Sequence, residues 1–174
     1  QISTTIPSGA GLWEPGVSSA YSIQQAIGNS YASGNYNLVF GKNSYISSYC
    51  NYSTLLGNNS TIKNSSGTTI IGGNSNYIGG FIRDSSVYLN QNSGILAGQG
   101  NKIYTSKNSA IISGFGNRIS NKSEIYFNYI SIISGKYNVV SSNYCSITNG
   151  KNNTIYSSKY SSILNGTGNT ISLT

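Results

Sequence analysis

The sequence predicts an all-β protein, a parallel β-solenoid of nine coils with about 16 residues per coil. Three observations predict it: an internal repeat through residues 21–174, apolar β-branched residues at fixed places in each repeat, and many short polar residues. Only 7% of the 174 residues are charged, 15 are Tyr, and His and Met are absent. Disordered chains have high net charge and few aromatic or β-branched residues, so this composition indicates a folded, extracellular type of polypeptide.

The repeat is built on the phrase Gly-x-x-Asn-x-Ile. Successive phrases begin about 16 residues apart. Two gaps are longer, from Gly73 to Gly98 and from Gly114 to Gly135, so two units carry insertions. The phrase begins at Ala26 and then at Gly41, Gly57, Gly73, Gly98, Gly114, Gly135, Gly150 and Gly166. Its fourth residue is Asn or Ser, and in the later units it is Asn76, Asn101, Asn117, Asn138, Asn153 and Asn169. We expect the glycines to form tight turns or to allow close backbone approach. We expect the Asn side chains to form a ladder between coils.

Two apolar segments in each unit predict two short strands that pair with the next coil about 4.8 Å away, giving a rod about 43 Å long. In the second strand one column is apolar, five residues after the glycine, as at Ile119. In the first strand two adjacent columns are apolar, as at Ile111 and Ile112. Neighbouring strand residues point to opposite faces, so one of these columns faces outward and predicts an association surface between identical chains. The alternative is an irregular coil with both columns inside.

Residues 1–20 do not repeat and are predicted to form an N-terminal cap or linker segment before the solenoid of residues 21–174. A solenoid end exposes unpaired strand edges, and Leu12 and Trp13 are the candidates to cover them. The alternative is that this segment joins a preceding domain. Since the chain begins at Gln1, we expect a processed product or a fragment of a longer chain.

Two segments carry a family resemblance. Residues 32–46 read ASGNYNLVFGKNSYI, and residues 157–171 read SSKYSSILNGTGNTI. They resemble the head repeats of YadA-like trimeric autotransporter adhesins and, more closely, the related repeats of bacteriophage tail fibres. Residues 11–23, GLWEPGVSSAYSI, are similar to the lead-in segment of phage fibre repeats. The resemblance implies a left-handed β-roll, packing as a homotrimer, a virion or extracellular location, and a role in host attachment.

Catalysis finds little support in the sequence. The acidic residues are Glu14, Asp84 and Glu124. Asp84 and Glu124 lie in the two insertions, near 79–92 and 120–128. Both insertions fall in the same gap of the repeat, two coils apart, so we expect them to emerge about 10 Å from each other. A glycosidase needs two carboxylates at such a separation, so a polysaccharide-degrading tailspike is the alternative function. Without His there is no Ser-His-Asp triad, and Cys and carboxylates are too sparse for a metal site. We predict no enzyme activity, no cofactor and no metal.

Binding is better supported, because insertions in solenoids commonly form the binding face. The candidate binding residues lie in or beside the insertions: Phe81, Arg83, Asp84, Tyr88, Tyr126 and Phe127. Tyr has a flat apolar face and a polar tip, which suits contact with a host cell-surface glycan or protein. Columns of Tyr outside the insertions are instead expected to stack on one another. Ice binding is a further alternative, but Thr61, Thr154 and Thr170 do not form the regular Thr array that it needs.

The remaining features exclude other classes of function. The net charge of +7 comes from ten basic and three acidic residues spread along the chain. This spread favours a solubilising surface over a nucleic-acid interface, which needs clustered basic residues. No apolar run reaches the roughly 18 residues of a membrane span, so membrane insertion is not expected. Cys50 and Cys145 fall at different positions of the repeat and are predicted to be free thiols.

Overall fold

The structure is a computed structural model that describes residues 13–15, 23–25, 30–47, 49–83, 86–88, 90–120 and 129–173, with the backbone alone at 13–15, 23–25, 31, 81–83 and 86–88. The strands, in chain order, are β1 (Trp13–Pro15), β2 (Ile23–Gln25), β3 (Tyr31–Ala32), β4 (Leu38–Phe40), β5 (Tyr45–Ile46), β6 (Thr54–Asn58), β7 (Thr61–Lys63), β8 (Ser65–Ser66), β9 (Thr69–Asn74), β10 (Tyr77–Gly79), β11 (Phe81–Arg83), β12 (Ser86–Tyr88), β13 (Asn90–Gln91), β14 (Gly94–Ile95), β15 (Lys102–Tyr104), β16 (Ala110–Ile111), β17 (Arg118–Ser120), β18 (Ser131–Ile132), β19 (Val139–Ser141), β20 (Ser146–Ile147), β21 (Thr154–Tyr156), β22 (Ser162–Ile163) and β23 (Thr170–Ser172).

Two long sheets form the solenoid. Sheet A has the strand order β1-β2-β4-β6-β9-β14-β16-β18-β20-β22, and sheet B has the order β3-β5-β7-β10-β15-β17-β19-β21-β23. Every neighbouring pair in them is parallel except β1 with β2. Each coil therefore contributes one strand to each sheet, and the next coil continues both sheets along the axis. The predicted parallel β-solenoid is confirmed, and its coils have the expected length of about 16 residues.

A narrow apolar core fills the space between the two sheets. Sheet A contributes Val39, Leu55, Ile70, Ile95, Ile111, Ile132, Ile147 and Ile163, and sheet B contributes Ala32, Ile46, Ile62, Ile78, Ile103, Ile119, Val140 and Ile155. All of them are buried. Ile and Val dominate because β-branched side chains pack well on a pleated surface. Each coil buries only a pair of such side chains in this way, so the interior of a single chain is thin.

The inward column of sheet A shifts by one residue along the chain. The sequence repeat places Leu38 and Thr54 in the same column as Ile70, but the structure pairs Leu55 with Ile70. Val39 and Leu55 are buried, whereas Leu38 and Thr54 are half-buried. The inward residue therefore lies two places before the glycine in these two coils and three places before it in the later coils. The prediction that one column of the repeat supplies all the inward side chains of sheet A is therefore wrong.

A bulge between β6 and β9 causes this shift. Leu56 pairs with Ile71 on one side of it, and the register changes before the next paired residues. Gly57 alone stands in the gap on β6, whereas Gly72 and Gly73 both stand in it on β9. Both of these glycines have positive φ, 74° and 80°, which a residue without Cβ adopts at low cost. The extra residue is thus absorbed at the end of the strand, and the sheet itself continues without interruption.

The first coils differ from the sequence expectation in two more details. Ala32 rather than Tyr31 pairs with Ile46 and lies in the core. Trp13 lies on β1, which adds an antiparallel strand to the N-terminal edge of sheet A; this pairing covers part of that edge. Leu12, the other predicted cap residue, lies outside the described residues. The boundary near residue 20 stays a prediction.

Each coil turns at two corners. Corner 1 leads from sheet A to sheet B through the predicted Gly-x-x-Asn phrase, and corner 2 leads from sheet B back to sheet A. Isolated parallel bridges join successive corners, for example between Phe115 and Lys136 at corner 1 and between Gln91 and Lys107 at corner 2. Within the described ranges, no helix is long and apolar enough to cross a membrane.

Candidate functional site

A ladder of buried Asn side chains holds corner 1 together. In a representative coil, Oδ1 of Asn117 accepts a hydrogen bond from the backbone N–H of Asn138 at 3.0 Å. Its Nδ2 donates to the carbonyl oxygens of Gly135 at 2.9 Å and Ser113 at 3.3 Å. The same contacts recur at Asn76, Asn101, Asn138 and Asn153. The predicted Asn ladder is therefore present, and each amide links two coils. Its oxygen accepts a hydrogen bond from a buried backbone N–H of the next coil. Its Nδ2 shares the carbonyl oxygen of the next phrase glycine with a backbone N–H, which is that of Phe115 in the case of Gly135.

The glycines of corner 1 are needed because successive coils lie very close there. A Cβ added to Gly114 would stand 2.2 Å from the carbonyl oxygen of Gly135 and 2.5 Å from Nδ2 of Asn117. The φ of Gly114 is also 106°, a value that residues with a Cβ rarely adopt. The neighbouring phrase glycines show the same approach, so both predicted reasons for glycine hold in these coils. Gly57 differs in that its φ is not positive, and only the close approach, 3.1 Å to the carbonyl oxygen of Gly72, applies to it.

Corner 2 carries stacked Tyr rings on its outside. Tyr129 stacks on Tyr144 with ring centroids 5.5 Å apart, and Tyr144 stacks on Tyr160 at 4.9 Å. Tyr36 and Tyr52 stack at 5.0 Å in the first coils. All five residues have positive φ, between 42° and 57°. Each ring has one face against a neighbouring ring, and Tyr144 has both faces covered, which fits the expectation that these Tyr columns stack on one another.

The outer face of sheet A carries an apolar stripe. Among the described members of this stripe, only Thr148 is polar. The described members occupy successive coils: Phe40, Leu56, Ile71, Leu96, Ile112, Ile133, Thr148 and Leu164. Ile71, Leu96, Ile112, Ile133 and Leu164 are 39% to 76% exposed. The column on the other side of the inward residue is small or polar in most coils, with Thr69, Gly94, Ala110, Ser131 and Ser146. Apolar residues therefore alternate inward and outward on this strand, and the alternative with both columns inside is wrong.

Both insertions leave the solenoid between the end of sheet B and corner 2. The first contains an antiparallel hairpin of β11 and β12, in which Phe81 pairs with Tyr88 and Arg83 pairs with Ser86. The second spans the region after Ser120. Their two coils are separated by one coil, because β15 lies between β10 and β17 in sheet B. The axial separation is therefore about 10 Å, as expected from the sequence.

The predicted insertion residues have no described side chains. Asp84, Glu124, Tyr126 and Phe127 lie outside the described residues. Phe81, Arg83 and Tyr88 are placed by their backbone on the hairpin, so the structure brings these three together on one element. Binding by this set and the two-carboxylate hypothesis both stay predictions.

Four basic residues form a surface group that the columns of the sequence repeat do not predict. Lys102, Arg118, Lys136 and Lys151 lie on four consecutive coils at corner 1 or at the adjoining edge of sheet B, and we refer to them as the basic track. All four are exposed. Lys102 pairs with Arg118 in the register of sheet B, and Lys136 bridges to Lys151 at corner 1. The fold therefore brings these residues together as two register pairs on consecutive coils, although they are far apart in the sequence.

Aromatic rings support two of these cations. The guanidinium of Arg118 lies 5.2 Å from the ring centroid of Tyr104, and its Nη2 donates to Oγ of Ser120 at 3.4 Å. Nζ of Lys136 lies 5.1 Å from the ring of Phe115 and 5.0 Å from the ring of Tyr137. Those two rings pack edge to face at 5.4 Å. Cation–π contact holds the charged groups over these rings while their outer sides stay open to solvent.

The two thiols are buried and unpaired with each other, as predicted. Cys50 lies at corner 2, where burial raises the pKa of its thiol above the usual value and hydrogen bonding with Ser47 opposes the shift in part. Sγ of Cys145 contacts the carbonyl oxygens of Ser158 at 3.0 Å and Asn143 at 3.2 Å. Burial, and then the neighbouring Tyr104 and Cys50, also raise the pKa of Tyr77 on sheet B. Cys50 and Tyr77 are therefore neutral at ordinary pH and stabilise the interior as apolar or hydrogen-bonding groups.

The fold and surfaces define the chain as a parallel β-solenoid repeat protein whose repeat is interrupted by two insertions. In the part that the structure describes, no group of three or more His, Cys, Asp or Glu residues could hold a metal ion. Comparison of the chain with protein-family models, curated proteins and solved structures finds no match. The interpretation of its function therefore depends on the surfaces described above.

Proposed function

We propose that this chain is a structural and adhesive fibre module: a solenoid that associates with two identical chains and presents a host-receptor surface, as in phage tail fibres or surface adhesins. The apolar stripe on sheet A is the observation that carries this proposal. A stripe of exposed Ile and Leu over successive coils is unusual for a monomeric soluble protein and typical of an association surface. The resemblance of the repeats to trimeric fibre proteins favours three chains.

The distribution of charge supports the same surface. The described residues of sheet A between Leu38 and Leu164 include no Lys or Arg on the outward columns, whereas Lys63, Lys102 and Arg118 project from sheet B. Interface cores are depleted in charged residues, so sheet A suits contact between chains and sheet B suits solvent. The small residues beside the stripe let the backbones of neighbouring chains approach closely. Association would also provide the thin coils with a second apolar core.

The axial hydrogen bonds explain how such a module bears load and displays a ligand-binding loop. The Asn ladder, the two sheets and the corner bridges all connect each coil to the next along the axis. A hairpin inserted between the coils, such as β11 and β12, is then held laterally on a stiff support. Insertions near 79–92 and 120–128 are the proposed receptor-binding elements, and a host cell-surface glycan or protein is the proposed partner.

The first test is the mass of the protein in solution, measured by light scattering after size exclusion. One chain has a mass of 18.4 kDa. A closed ring of three chains has three times that mass, and we expect this trimer mass for the unmodified chain. The double variant Ile112→Glu/Ile133→Glu places two charges in the stripe. We expect it to run as an 18.4 kDa monomer that keeps its β-sheet circular dichroism.

A matched control puts the same charges on the other sheet. Val139 and Thr154 are half-buried neighbours on the outer face of sheet B, so Val139→Glu/Thr154→Glu should leave the trimer mass unchanged. A stable 18.4 kDa monomer for the unmodified chain contradicts the trimer. Equal effects of the two double variants would show that the stripe has no special role.

The receptor-binding role has its own test, the removal of residues 81–89. Ile78 and Ile103 pair on successive coils although the first insertion lies between them in the sequence. The deletion removes the extra residues of this unit, so the coil returns to the ordinary length of the repeat. Gly80 then joins Asn90 in the way that Thr105 joins Ser106 in the next coil. We expect this variant to keep its mass and melting temperature and to lose binding of uncharged glycans on a glycan microarray, because the basic residues at corner 1 are left in place. Unchanged glycan binding would place the receptor surface elsewhere.

A further inference from the structure

We infer that the basic track, Lys102, Arg118, Lys136 and Lys151, binds an anionic polysaccharide, a linear glycan with carboxylate or sulfate groups along its length. The inference goes beyond the proposed receptor-binding role of the insertions by adding a second site and its ligand class, and it rests on that role for its biological meaning. The site is at corner 1, on the opposite edge of sheet B from the insertions.

The spacing of the cations suits a linear polyanion that runs along the solenoid. The track supplies one positive charge per coil on four consecutive coils. At about 4.8 Å per coil, the four charges cover about 14 Å along the axis. The second pair is offset around the coil by three residues, because Lys136 bridges to Phe115 while Arg118 pairs with Val139. Lys102 and Arg118 are direct register neighbours, and so are Lys136 and Lys151. Like charges placed directly opposite in neighbouring strands destabilise a sheet. An anion between them removes this repulsion, so binding has a favourable term that isolated surface lysines lack.

Few carboxylates can compete with an anionic ligand for the track, because the chain has ten basic residues and three acidic ones. Two of the four cationic groups are also held in place by rings, Arg118 over Tyr104 and Lys136 over Phe115 and Tyr137. Less side-chain freedom is therefore lost when a ligand binds.

The aromatic rings beside the track favour a glycan over a nucleic acid. Single-stranded nucleic acids bind through bases that stack on open ring faces next to basic residues. Here Phe115 and Tyr137 pack against each other, and Nζ of Lys136 lies over both. The ring of Tyr104 likewise has the guanidinium of Arg118 over it. These rings hold cations instead of offering a stacking platform, so the ligand needs only anionic groups that reach the Lys and Arg tips.

The test compares two double variants that carry the same net charge. Lys136→Gln/Lys151→Gln removes half of the track, and Lys42→Gln/Lys159→Gln removes two exposed lysines outside it; each lowers the formal charge from +7 by two, to +5. Lys42 is a suitable control because it occupies the same place after the phrase glycine as Lys136 and Lys151, in an early coil. The probes are dextran sulfate, polygalacturonate, neutral dextran and single-stranded DNA, measured by titration calorimetry at low salt and at about 150 mM salt.

We expect dextran sulfate, polygalacturonate or both to bind the unmodified chain, more weakly at the higher salt, and neutral dextran not to bind. The two anionic glycans distinguish sulfate from carboxylate recognition. The Lys136/Lys151 double variant should bind about five- to tenfold more weakly, since each exposed charge contact contributes a modest free energy. The control variant should change less than about twofold, and Lys136→Arg/Lys151→Arg should keep the affinity, which shows that the fold is intact.

Three results would overturn the inference: no binding of either anionic glycan, equal weakening in the two charge-matched variants, or tighter binding of DNA than of the glycans. The solution mass of each variant is measured in the same samples. If the protein is a monomer that binds anionic glycan through the track, the trimeric module is contradicted and the proposed site is supported. A trimer that binds none would keep the module and eliminate the site.

Discussion

Corners 1 and 2 make the same reversal of the chain by different means. Corner 1 uses a glycine and, from Asn76 to Asn153, a buried Asn, and no loop is inserted into it in any described coil. Corner 2 buries different side chains at one place in different coils, among them Ser109, Ile130 and Cys145. Both insertions leave the solenoid just before corner 2.

This difference shows what limits variation in a stacked coil. At corner 1 the backbones of successive coils approach so closely that only glycine fits, and the amide of each Asn pairs three backbone groups. Such a corner has no room for a loop, and the one extra residue that it accepts, at Gly72 and Gly73, is a glycine. At corner 2 a hydroxyl, a thiol or an alkyl group each fills the same space. The solenoid can therefore acquire loops there without losing its axial hydrogen bonds.

Among the substitutions that test this difference between the corners, Gly114→Ala at corner 1 is expected to reduce stability most. The added Cβ meets the carbonyl oxygen of Gly135 at 2.2 Å, and the residue keeps a φ of 106°. Overpacking and backbone strain together should lower the free energy of unfolding by about 4 kcal/mol. Urea unfolding at one fixed protein concentration measures it, since association adds to stability.

A glycine two residues beyond the phrase glycine of another coil provides the control. Gly100 has positive φ, but the nearest atom to an added Cβ is 4.0 Å away. Asn occupies the same place in other coils, at Asn43 and Asn152, also with positive φ. Gly100→Asn should change stability by less than about 0.5 kcal/mol. If Gly114→Ala were equally mild, close coil approach would not be the constraint at corner 1.

The next effect is that of Asn117→Ala. The substitution removes the acceptor of the Asn138 N–H and the donor to the carbonyl oxygen of Ser113. The carbonyl oxygen of Gly135 keeps the backbone N–H of Phe115. We expect a loss of about 3 kcal/mol, because buried polar groups without partners cost more than the hydrogen bond itself contributes. Ser109→Ala at corner 2 should cost about 1 kcal/mol, since Ile130 and Cys145 show that the site accepts less polar groups. Equal losses at the two corners would remove the distinction between them.

A smaller effect is expected on the outside of corner 2 from Tyr144→Asn. Tyr144 stacks on two rings, those of Tyr129 and Tyr160. Asn accepts its φ of 56°, so the substitution isolates the loss of stacking. We expect the free energy of unfolding to fall by about 1 kcal/mol. A stability gain would mean that the Tyr column is maintained for a ligand and not for the rod.

The smallest effect concerns alkaline pH. Burial raises the pKa values of Cys50, whose usual pKa is 9.0, and Tyr77, whose usual pKa is 10.0. In each case the unfolded chain loses the proton first, so the contribution to stability is complete below the unfolded pKa and is lost as pH rises through the folded pKa. The free energy of unfolding should therefore decline from about pH 9 upward. Cys50→Ser/Tyr77→Phe should flatten that decline, and an unchanged slope would refute the assignment.

The sequence predicts corner 1 well and the surfaces less well. Gly114 and Asn117 recur in every later coil, and each recurrence has a steric or hydrogen-bonding reason that can be stated without coordinates. The apolar stripe follows from two adjacent apolar columns and strand alternation. The basic track could not be predicted in this way, because Lys102 and Arg118 belong to one column and Lys136 and Lys151 to another. Only the fold of the corner brings the two columns to one edge.

The structure of the insertions was also only partly predictable. Their place in the coil follows from the spacing of the repeat. The pairing of Phe81 with Tyr88 in a hairpin does not follow, because a short apolar run without periodicity leaves strand and loop equally open. Similarly, each column of the repeat is defined by its distance from a glycine. The columns therefore give the wrong inward residue wherever that distance changes.

The bulge at Gly72 and Gly73 has a practical consequence for anyone who recombines these coils. A segment cut from the first coils and spliced after the bulge by matching glycines would present Leu38 to the interior and turn Val39 toward solvent. Matching the segments by Val39 and Ile111 instead keeps the alternation, and the missing residue must then be supplied before the glycine. The two ends of the rod are thus interchangeable parts only after a one-residue correction, which the double glycine supplies in the natural chain.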